Sequence, residues 1–304
     1  MKITGNIYTI PAPTTFYTGP QAPNVFLIED EGVGALVDSG FGDDASVKAR
    51  LEYLQGHPRT RLRYIFLTHH HFDHSGGASR IREATGAQIV LHPMEEAPLL
   101  DWQGDTPQDV DIPVASEELR AQVQELRQRA SEAAPPDLPI AGGGMLSVGD
   151  RTIEIIHTPG HTMGSICLYV REEKVLFTGD TALGLGTVAI SPPPSGDMGL
   201  YLESLRMLQR YDVELMLPGH GRPVEDVEAK LQELIDHRLE REQQVFKLLR
   251  AGKSKPRSML GAIYPELDRR LIPMALRQIE AHLAKLAEEG VVEDLGGGEW
   301  KLLR

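Results

Sequence analysis

The segment Thr68–His74, with the sequence THHHFDH, constrains this chain more than any other part of it. It follows a short apolar run at residues 64–67 that predicts a strand, so the cluster begins where that strand ends. His69 and His71 can point the same way from extended backbone, because alternate residues share a side. The candidate metal ligands here are His69, His71, Asp73 and His74. Four ligands in six residues crowd a single ion, which favours two ions.

Three later residues occupy similar settings. They are His161 in TPGHT, Asp180 in TGD and His220 in PGHG. Each follows a predicted strand, at residues 152–157, 175–177 and 214–217, and each has a neighbouring Gly or Pro that lets the chain turn sharply. Layered α/β proteins place their ligands beyond the carboxyl ends of strands. We therefore predict that all seven side chains converge.

The residue types restrict the metal. Cys167 is the one cysteine, so an internal disulfide and a cysteine-rich zinc site are both excluded. Imidazole and carboxylate ligands suit zinc, and they also suit iron or manganese. The sequence predicts two divalent ions, with Zn²⁺ as the default and Fe or Mn as alternatives.

The charge and hydropathy of the chain predict its location and its partners. The 304 residues carry a net charge of −13, which argues against whole-protein affinity for nucleic acid or an anionic membrane. No apolar run approaches the length of about 18 residues that a membrane-spanning helix needs. The N-terminus lacks a basic start followed by an apolar core. We expect a cytoplasmic protein with no membrane partner.

The order of predicted elements indicates the fold class. Strands and helices alternate in both halves of the first 223 residues, which is typical of a layered α/β domain. Residues 94–145 interrupt this order with loops rich in Pro, Asp and Glu around a polar helical stretch at 116–133. We interpret 94–145 as an insertion that could serve as a lid, a homodimer surface or a solvated connector.

The C-terminal third has a different pattern. Residues 224–250 predict one long linking helix without Gly or Pro. Two further helices, at 257–264 and 272–289, precede a hairpin signal at 291–303 with GGG in its middle. Residues 251–304 therefore predict a small winged-helix domain after the catalytic domain of residues 1–223.

The four histidine- and aspartate-bearing motifs, in this order, resemble the metallo-β-lactamase superfamily. That resemblance implies an αββα sandwich with the metals at one edge. It implies that His69, His71 and His161 hold one ion. It further implies that Asp73, His74 and His220 hold the second ion and that Asp180 bridges the two.

The same resemblance implies a catalytic scheme. A hydroxide bridging the two ions attacks a carbonyl or phosphoryl group, and Asp73 is the expected catalytic residue because it can orient that hydroxide. Asn24, Thr181 and Tyr201 fall in segments that resemble the family's active-site surround. We expect these three residues to support the ligands or to contact the substrate.

The segments outside the metal-binding motifs are the basis for predicting the substrate. The C-terminal third resembles the beta-lactamase-like protein 2 group, which includes a single-strand endoribonuclease, so single-stranded RNA is one expected substrate. The alternative is a thioester hydrolase of the acyl-carrier-protein, CoA or hydroxyacylglutathione type. Lactonase and β-lactamase activities are less favoured, since the commonest zinc β-lactamases have Cys in place of Asp180. A basic stretch, Lys247–Arg277, could bind RNA or an acidic carrier. Native metal, physiological substrate, proton donor and oligomeric state stay open.

Overall fold

The structure is a computed structural model that describes residues 1–11, 13, 22–101 and 132–303. Two units can be distinguished. The first comprises Met1–His157, Gly164–Gly186 and Asp212–Val227, and the second comprises Thr158–Met163, Thr187–Tyr211 and Glu228–Arg304. Most of the polar helix predicted at 116–133 lies outside the described residues, as does much of the predicted insertion.

The first unit contains a seven-stranded sheet. Its strands, in spatial as well as chain order, are β1 Lys2–Thr4, β2 Ile7–Ile10, β3 Val25–Asp30, β4 Val33–Val37, β5 Arg61–Phe66, β6 Gln88–Leu91 and β7 Leu138–Pro139. The first four strands pair antiparallel, whereas β4 to β7 run parallel. The carboxyl ends of β4, β5 and β6 therefore meet at one edge of the sheet.

A five-stranded sheet forms the other layer of this unit. It comprises β8 Met145–Val148, β9 Arg151–His157, β10 Ile166–Val170, β11 Val175–Gly179 and β12 Leu215–Pro218. The strands from β8 to β11 are antiparallel and β12 joins β11 in parallel. Each sheet thus contains parallel strands, and the predicted ligands follow β5 in the first sheet and β11 and β12 in the second.

The two sheets pack face to face through one apolar core. It contains alternate residues of both sheets: Phe26, Ile28, Ala35, Val37 and Phe66 from the first, and Ile153, Ile155, Leu168, Val170 and Phe177 from the second. The rings of Phe26 and Phe177 meet edge to face, with centroids 5.3 Å apart. Both faces of β10 and β11 are buried, which explains their nearly continuous apolar sequence.

Helices cover the outer face of the seven-stranded sheet. They are α1 Asp44–Gln55, α2 Phe72–Ser75, α3 Ala78–Thr85 and α4 Glu96–Leu100, with a 3₁₀ turn at Pro93–Glu95 before α4. Val47 of α1 and Ile81 of α3 pack on Leu36, Ile65 and Ile89 of the sheet. Asp43 caps the N-terminus of α1, and its carboxylate accepts a hydrogen bond from the Ser46 amide at 3.1 Å.

The second unit is helical with a short hairpin. Its helices are α5 Met198–Leu208, α6 Val227–Arg250, α7 Pro256–Ile263 and α8 Ile272–Glu288, and its strands are β13 Val292–Asp294 and β14 Trp300–Leu302. A core of Val245, Met259, Ile279, Leu283 and Val292 joins α6, α7, α8 and the hairpin. This arrangement of helices and an antiparallel wing is a winged helix.

The predicted element types agree with the structure along most of the described chain, within a few residues at each end. Strands β1, β2, β7 and β8 and helices α2 and α4 were not predicted, since each is only two to five residues long. Among the described residues, no helix combines the length and the apolar character needed to cross a membrane.

Candidate metal centre

The histidine cluster spans the loop after β5 and the short helix α2. His71 precedes α2, and the amides of His74 and Ser75 bond to its carbonyl oxygen at 2.9 Å. The single turn of helix therefore places Asp73 and His74 after a sharp change of direction from β5. His69 is 1% exposed and His74 is fully buried.

The cluster's side chains face one another at short distances. His69 Nε2 and His71 Nδ1 are 3.0 Å apart. His220 Nε2 is 3.2 Å from His74 Nε2 and 3.1 Å from a carboxylate oxygen of Asp73. Ring nitrogens and carboxylate oxygens that point at a common centre form the ligand set that divalent transition metals prefer.

Asp180 and His220 reach this cluster from the five-stranded sheet. Asp180 follows β11 directly and His220 lies two residues after β12. An Asp180 carboxylate oxygen lies 3.4 Å from His74 Nε2 and 3.6 Å from His220 Nε2. The candidate ligand atoms of His69, His74 and Asp180 lie within 4.8 Å of one another, as do those of Asp73, His74 and His220.

The first unit thus brings together six of the predicted ligands: His69, His71, Asp73, His74, Asp180 and His220. The remaining one, His161, belongs to the second unit, where its Nδ1 lies 2.8 Å from the carbonyl oxygen of Ala189. Nδ1 donates to that oxygen in the neutral ring, so Nε2 is the nitrogen that can bind a metal. The role of His161 as a ligand stays a prediction.

Asp38, at the carboxyl end of β4, supports the cluster and was not predicted from the sequence. Its carboxylate accepts hydrogen bonds from the Thr68 amide at 2.8 Å and from the Thr68 hydroxyl at 3.0 Å, and it lies 2.8 Å from His74 Nδ1. Asp38 is 2% exposed and has a φ of 59°, an unusual value for a residue other than glycine. It holds His74 with Nε2 directed at the other ligands.

Glu95 is a second supporting carboxylate that the sequence did not reveal, because it falls in the predicted insertion. It is 1% exposed. It accepts hydrogen bonds from the amides of His70 at 2.8 Å and Gly164 at 2.7 Å, and it lies 2.5 Å from His70 Nδ1. Glu95 therefore ties the histidine loop to the loop before β10. No sequence motif distinguishes such a carboxylate from an exposed one.

Charged side chains in the site shift the pKa values of their neighbours. Burial alone would raise the pKa of Asp73, but His74, His220 and His71 hold it well below its usual range. Burial would lower the pKa of His74, yet the charges of Asp73, Asp180 and Asp38 raise it well above its ordinary value. The carboxylates thus stabilise a cation at His74 Nε2, and a metal ion satisfies the same field more fully than a proton.

The backbone also leaves room for an ion. Gly219 follows β12, and a Cβ at this position would lie 2.6 Å from Asp180 Oδ1 and 2.8 Å from His74 Cε1. The chain passes so close to two candidate ligands that only glycine fits. The donor types, their convergence and this space together fit the two divalent ions that the sequence predicts.

The three predicted supporting residues have different surroundings. The Asn24 amide donates to the carbonyl oxygens of Pro218 and Gly221, both at 2.9 Å, and so braces the loop that carries His220. Thr181 is buried directly after Asp180. Tyr201 belongs to α5 in the second unit, with its ring centroid 5.4 Å from Cζ of Arg238.

Two family models match the chain. The model described as the metallo-beta-lactamase superfamily covers residues 18–220. The chain belongs to this superfamily. A model of the beta-lactamase associated winged helix domain covers residues 256–300, in agreement with the observed helices and wing. The chain is thus a superfamily hydrolase with the metallo-beta-lactamase α/β fold and a C-terminal winged helix.

The similarity to known proteins extends over nearly the whole chain. A beta-lactamase-like protein 2 homolog of Caenorhabditis elegans is 26% identical over 93% of this chain and 83% of its own length. An atrochrysone carboxyl ACP thioesterase of Aspergillus fumigatus is 27% identical over 87% of this chain and 71% of its own. A metallo-beta-lactamase family protein of Thermus thermophilus has a TM-score of 0.75 at 26% identity, with 98% of both chains covered.

Proposed function

We propose that this hydrolase holds two divalent metal ions and cleaves acyl thioesters. The observation that carries the metal-dependent chemistry is the convergence of four imidazoles and two carboxylates from the two sheets, described above. In the proposed assignment, His69, His71 and His161 hold one ion. Asp73, His74 and His220 hold the other, and Asp180 is shared. Zn²⁺ is the proposed metal, and metal analysis of the purified protein distinguishes it from Fe or Mn.

When bound, the ions supply an activated water and polarise the bond to be cleaved. The chain's own residues then position the reactants. Asp73 stays anionic at neutral pH because its pKa is low. Its side chain is 28% exposed, so the attacking water can reach it from solvent and donate a hydrogen bond to it. We propose Asp73 as the residue that orients this water.

Two observations favour a thioester over RNA. The net charge of −13 opposes a polyanionic substrate, because the field of the whole protein repels it. A relative with 71% of its length covered by this chain is named as a carboxyl ACP thioesterase. The acyl group of a thioester is uncharged, so this repulsion acts on an acidic carrier and not at the reacting carbon.

Single-stranded RNA is the second candidate, and one surface favours it. Four exposed cations surround the turn between α6 and α7: Lys247, Arg250, Lys255 and Arg257. A row of cations can follow a phosphate backbone. Tyr264, at the end of α7, is the one Tyr or Trp between residues 247 and 277, so this surface lacks the aromatic side chains on which bases stack.

The experiment compares the two substrates under the same conditions. Metal-loaded protein is given an acyl N-acetylcysteamine thioester, with release of thiol measured, and in parallel a labelled single-stranded RNA. Thioester hydrolysis that stops with a chelator, with the RNA intact, supports the proposal. RNA cleavage without thioester turnover refutes the thioester assignment and favours the second candidate.

A variant tests the role of Asp73. Asp73→Ala is expected to abolish turnover, and Asp44→Ala is the matched control because the Asp44 side chain is 79% exposed on α1. Full activity in Asp73→Ala would contradict the proposed role. An expected homodimer is tested separately by the molecular mass in solution.

A further inference from the structure

A cavity of about 200 Å³ lies within the second unit. Segment 187–189, α6, α8 and the chain between these last two helices form its walls. The apolar lining comes from Val188, Ala189, Leu267, Leu271, Met274 and Ala275. Because pockets for drug-sized ligands usually have about 300–1,000 Å³, this cavity suits a smaller molecule.

Arg238 supplies the positive charge of this lining. The residue is 2% exposed. One terminal nitrogen donates to the amide oxygen of Gln278 at 3.3 Å, and the other donates to the carbonyl oxygen of Val188. Both acceptors are neutral. Within the described part of the chain, Nε of Arg238 has no hydrogen-bond partner and no carboxylate forms an ion pair with the guanidinium.

A buried guanidinium without an acidic partner is unfavourable for folding. Removing a cation from water has a large free-energy cost, and neutral acceptors compensate for only part of it. The ring of Tyr201, 5.4 Å from Cζ, compensates for a further part. An anion bound in the cavity would neutralise this charge.

His237 is the other titratable residue on the α6 wall of the cavity. Its Nδ1 is buried, and no hydrogen-bond partner for it occurs among residues 1–11, 13, 22–101 and 132–303. Burial lowers the pKa of His237, and the charge of Arg238 lowers it further, so the ring is neutral at pH 7. His237 therefore adds no charge to the lining. Among the described lining residues, Arg238 carries the one full charge, which matches a monoanion.

The apolar residues define the rest of the ligand. Val188 and Ala275 are each 5% exposed, whereas Leu271 and Met274 are 43% and 44% exposed. The cavity thus extends from a buried cation to a partly exposed apolar rim. A ligand with an acidic head and a short hydrocarbon body satisfies both ends, because its apolar surface leaves water as its charge is neutralised.

We propose that this cavity binds a small monocarboxylate with a short apolar body. The carboxylate pairs with Arg238, and the hydrocarbon lies against Leu271 and Met274. The proposal concerns a site within the second unit, and it does not depend on the thioesterase function or on the metal ions. A binding measurement on the full chain therefore tests it separately from any activity.

Calorimetric titration with hexanoate is the primary experiment. We expect saturable binding of one molecule per chain, with hexanol and inorganic phosphate binding at least tenfold more weakly. Hexanol keeps the hydrocarbon and lacks the charge, whereas phosphate has charge without hydrocarbon. Binding of hexanol or of phosphate as tight as that of hexanoate would overturn the monocarboxylate assignment, and absence of saturable hexanoate binding would overturn the site.

Two variants locate the site. Arg238→Gln should weaken hexanoate binding at least tenfold, and Arg257→Gln is its matched control because Arg257 is exposed and outside the lining. Since Arg238 also holds the Val188 carbonyl, a second variant keeps it in place: Ala275→Leu fills the cavity and leaves the guanidinium unchanged. Wild-type affinity in either variant, with the fold checked by circular dichroism, would refute the proposed location.

Discussion

Replacing Asp38 by Asn tests how the protein orients His74, a proposed metal ligand. The substitution keeps the size and shape of the side chain, and Asn tolerates the positive φ of 59° at this position. One carboxylate oxygen accepts from the Thr68 amide, which can only donate, so the amide oxygen of Asn must stay there. The new NH₂ group then faces His74 Nδ1, where the second oxygen lies 2.8 Å away in the native chain.

This exchange reverses the roles of the two nitrogens of His74. Facing a donor, Nδ1 has to accept, so the neutral ring carries its proton on Nε2, the nitrogen aimed at the other ligands. A ring with its proton on Nε2 cannot bind a metal through that atom. Loss of such a partner usually reduces metal affinity about 10–100-fold, which corresponds to about 1.4–2.8 kcal/mol.

The assay is competition for Zn²⁺ against a chromophoric chelator at pH 7. We expect Asp38→Asn to bind the ion assigned to His74 10–100-fold less tightly, while Asp44→Asn, with its side chain 79% exposed, keeps native affinity. Circular dichroism checks that both variants are folded. A folded Asp38→Asn protein that binds both ions with native affinity would refute the argument that Asp38 sets the tautomer of His74.

Further outcomes follow from neighbouring contacts. Glu95→Gln replaces an accepting oxygen with an NH₂ group that faces other donors, so the free energy of unfolding in urea should fall by about 1–3 kcal/mol. An unchanged urea midpoint would contradict this. Gly219→Ala adds a Cβ 2.6 Å from Asp180 Oδ1, so the bound metal should fall below two ions per chain in elemental analysis, and two retained ions would be evidence against the assignment. Because the pKa of His74 is raised, its proton is present at pH 7 and leaves when metal binds, so the calorimetric heat should depend on the buffer's ionisation enthalpy; equal heats in two buffers would disprove it. Met259→Ala, at a fully buried position of the winged-helix core, should lower the free energy of unfolding in urea by about 2–5 kcal/mol without changing the metal content. A decrease of less than about 1 kcal/mol would count against that packing.

The sequence by itself determined the element types, the superfamily and a candidate ligand set. Its ligands are recognisable because they are chemically distinctive residues in short motifs, each placed after a strand and beside Gly or Pro. The apolar periodicity of residues 227–249 and the GGG between β13 and β14 likewise predict local structure, since they act over a few residues. Such signals need no knowledge of distant contacts.

Only the tertiary structure revealed Asp38 and Glu95 as supports of the histidine loop. Asp38 lies 30 residues from Thr68 and Glu95 lies 25 residues from His70, and nothing local distinguishes them from exposed acids. Arg238 is a further example, since its burial among neutral acceptors depends on Val188 and Gln278, 50 and 40 residues away. The physical reason is that burial and hydrogen-bond partners are properties of the packed chain, whereas a sequence motif records only residue type and local backbone preference.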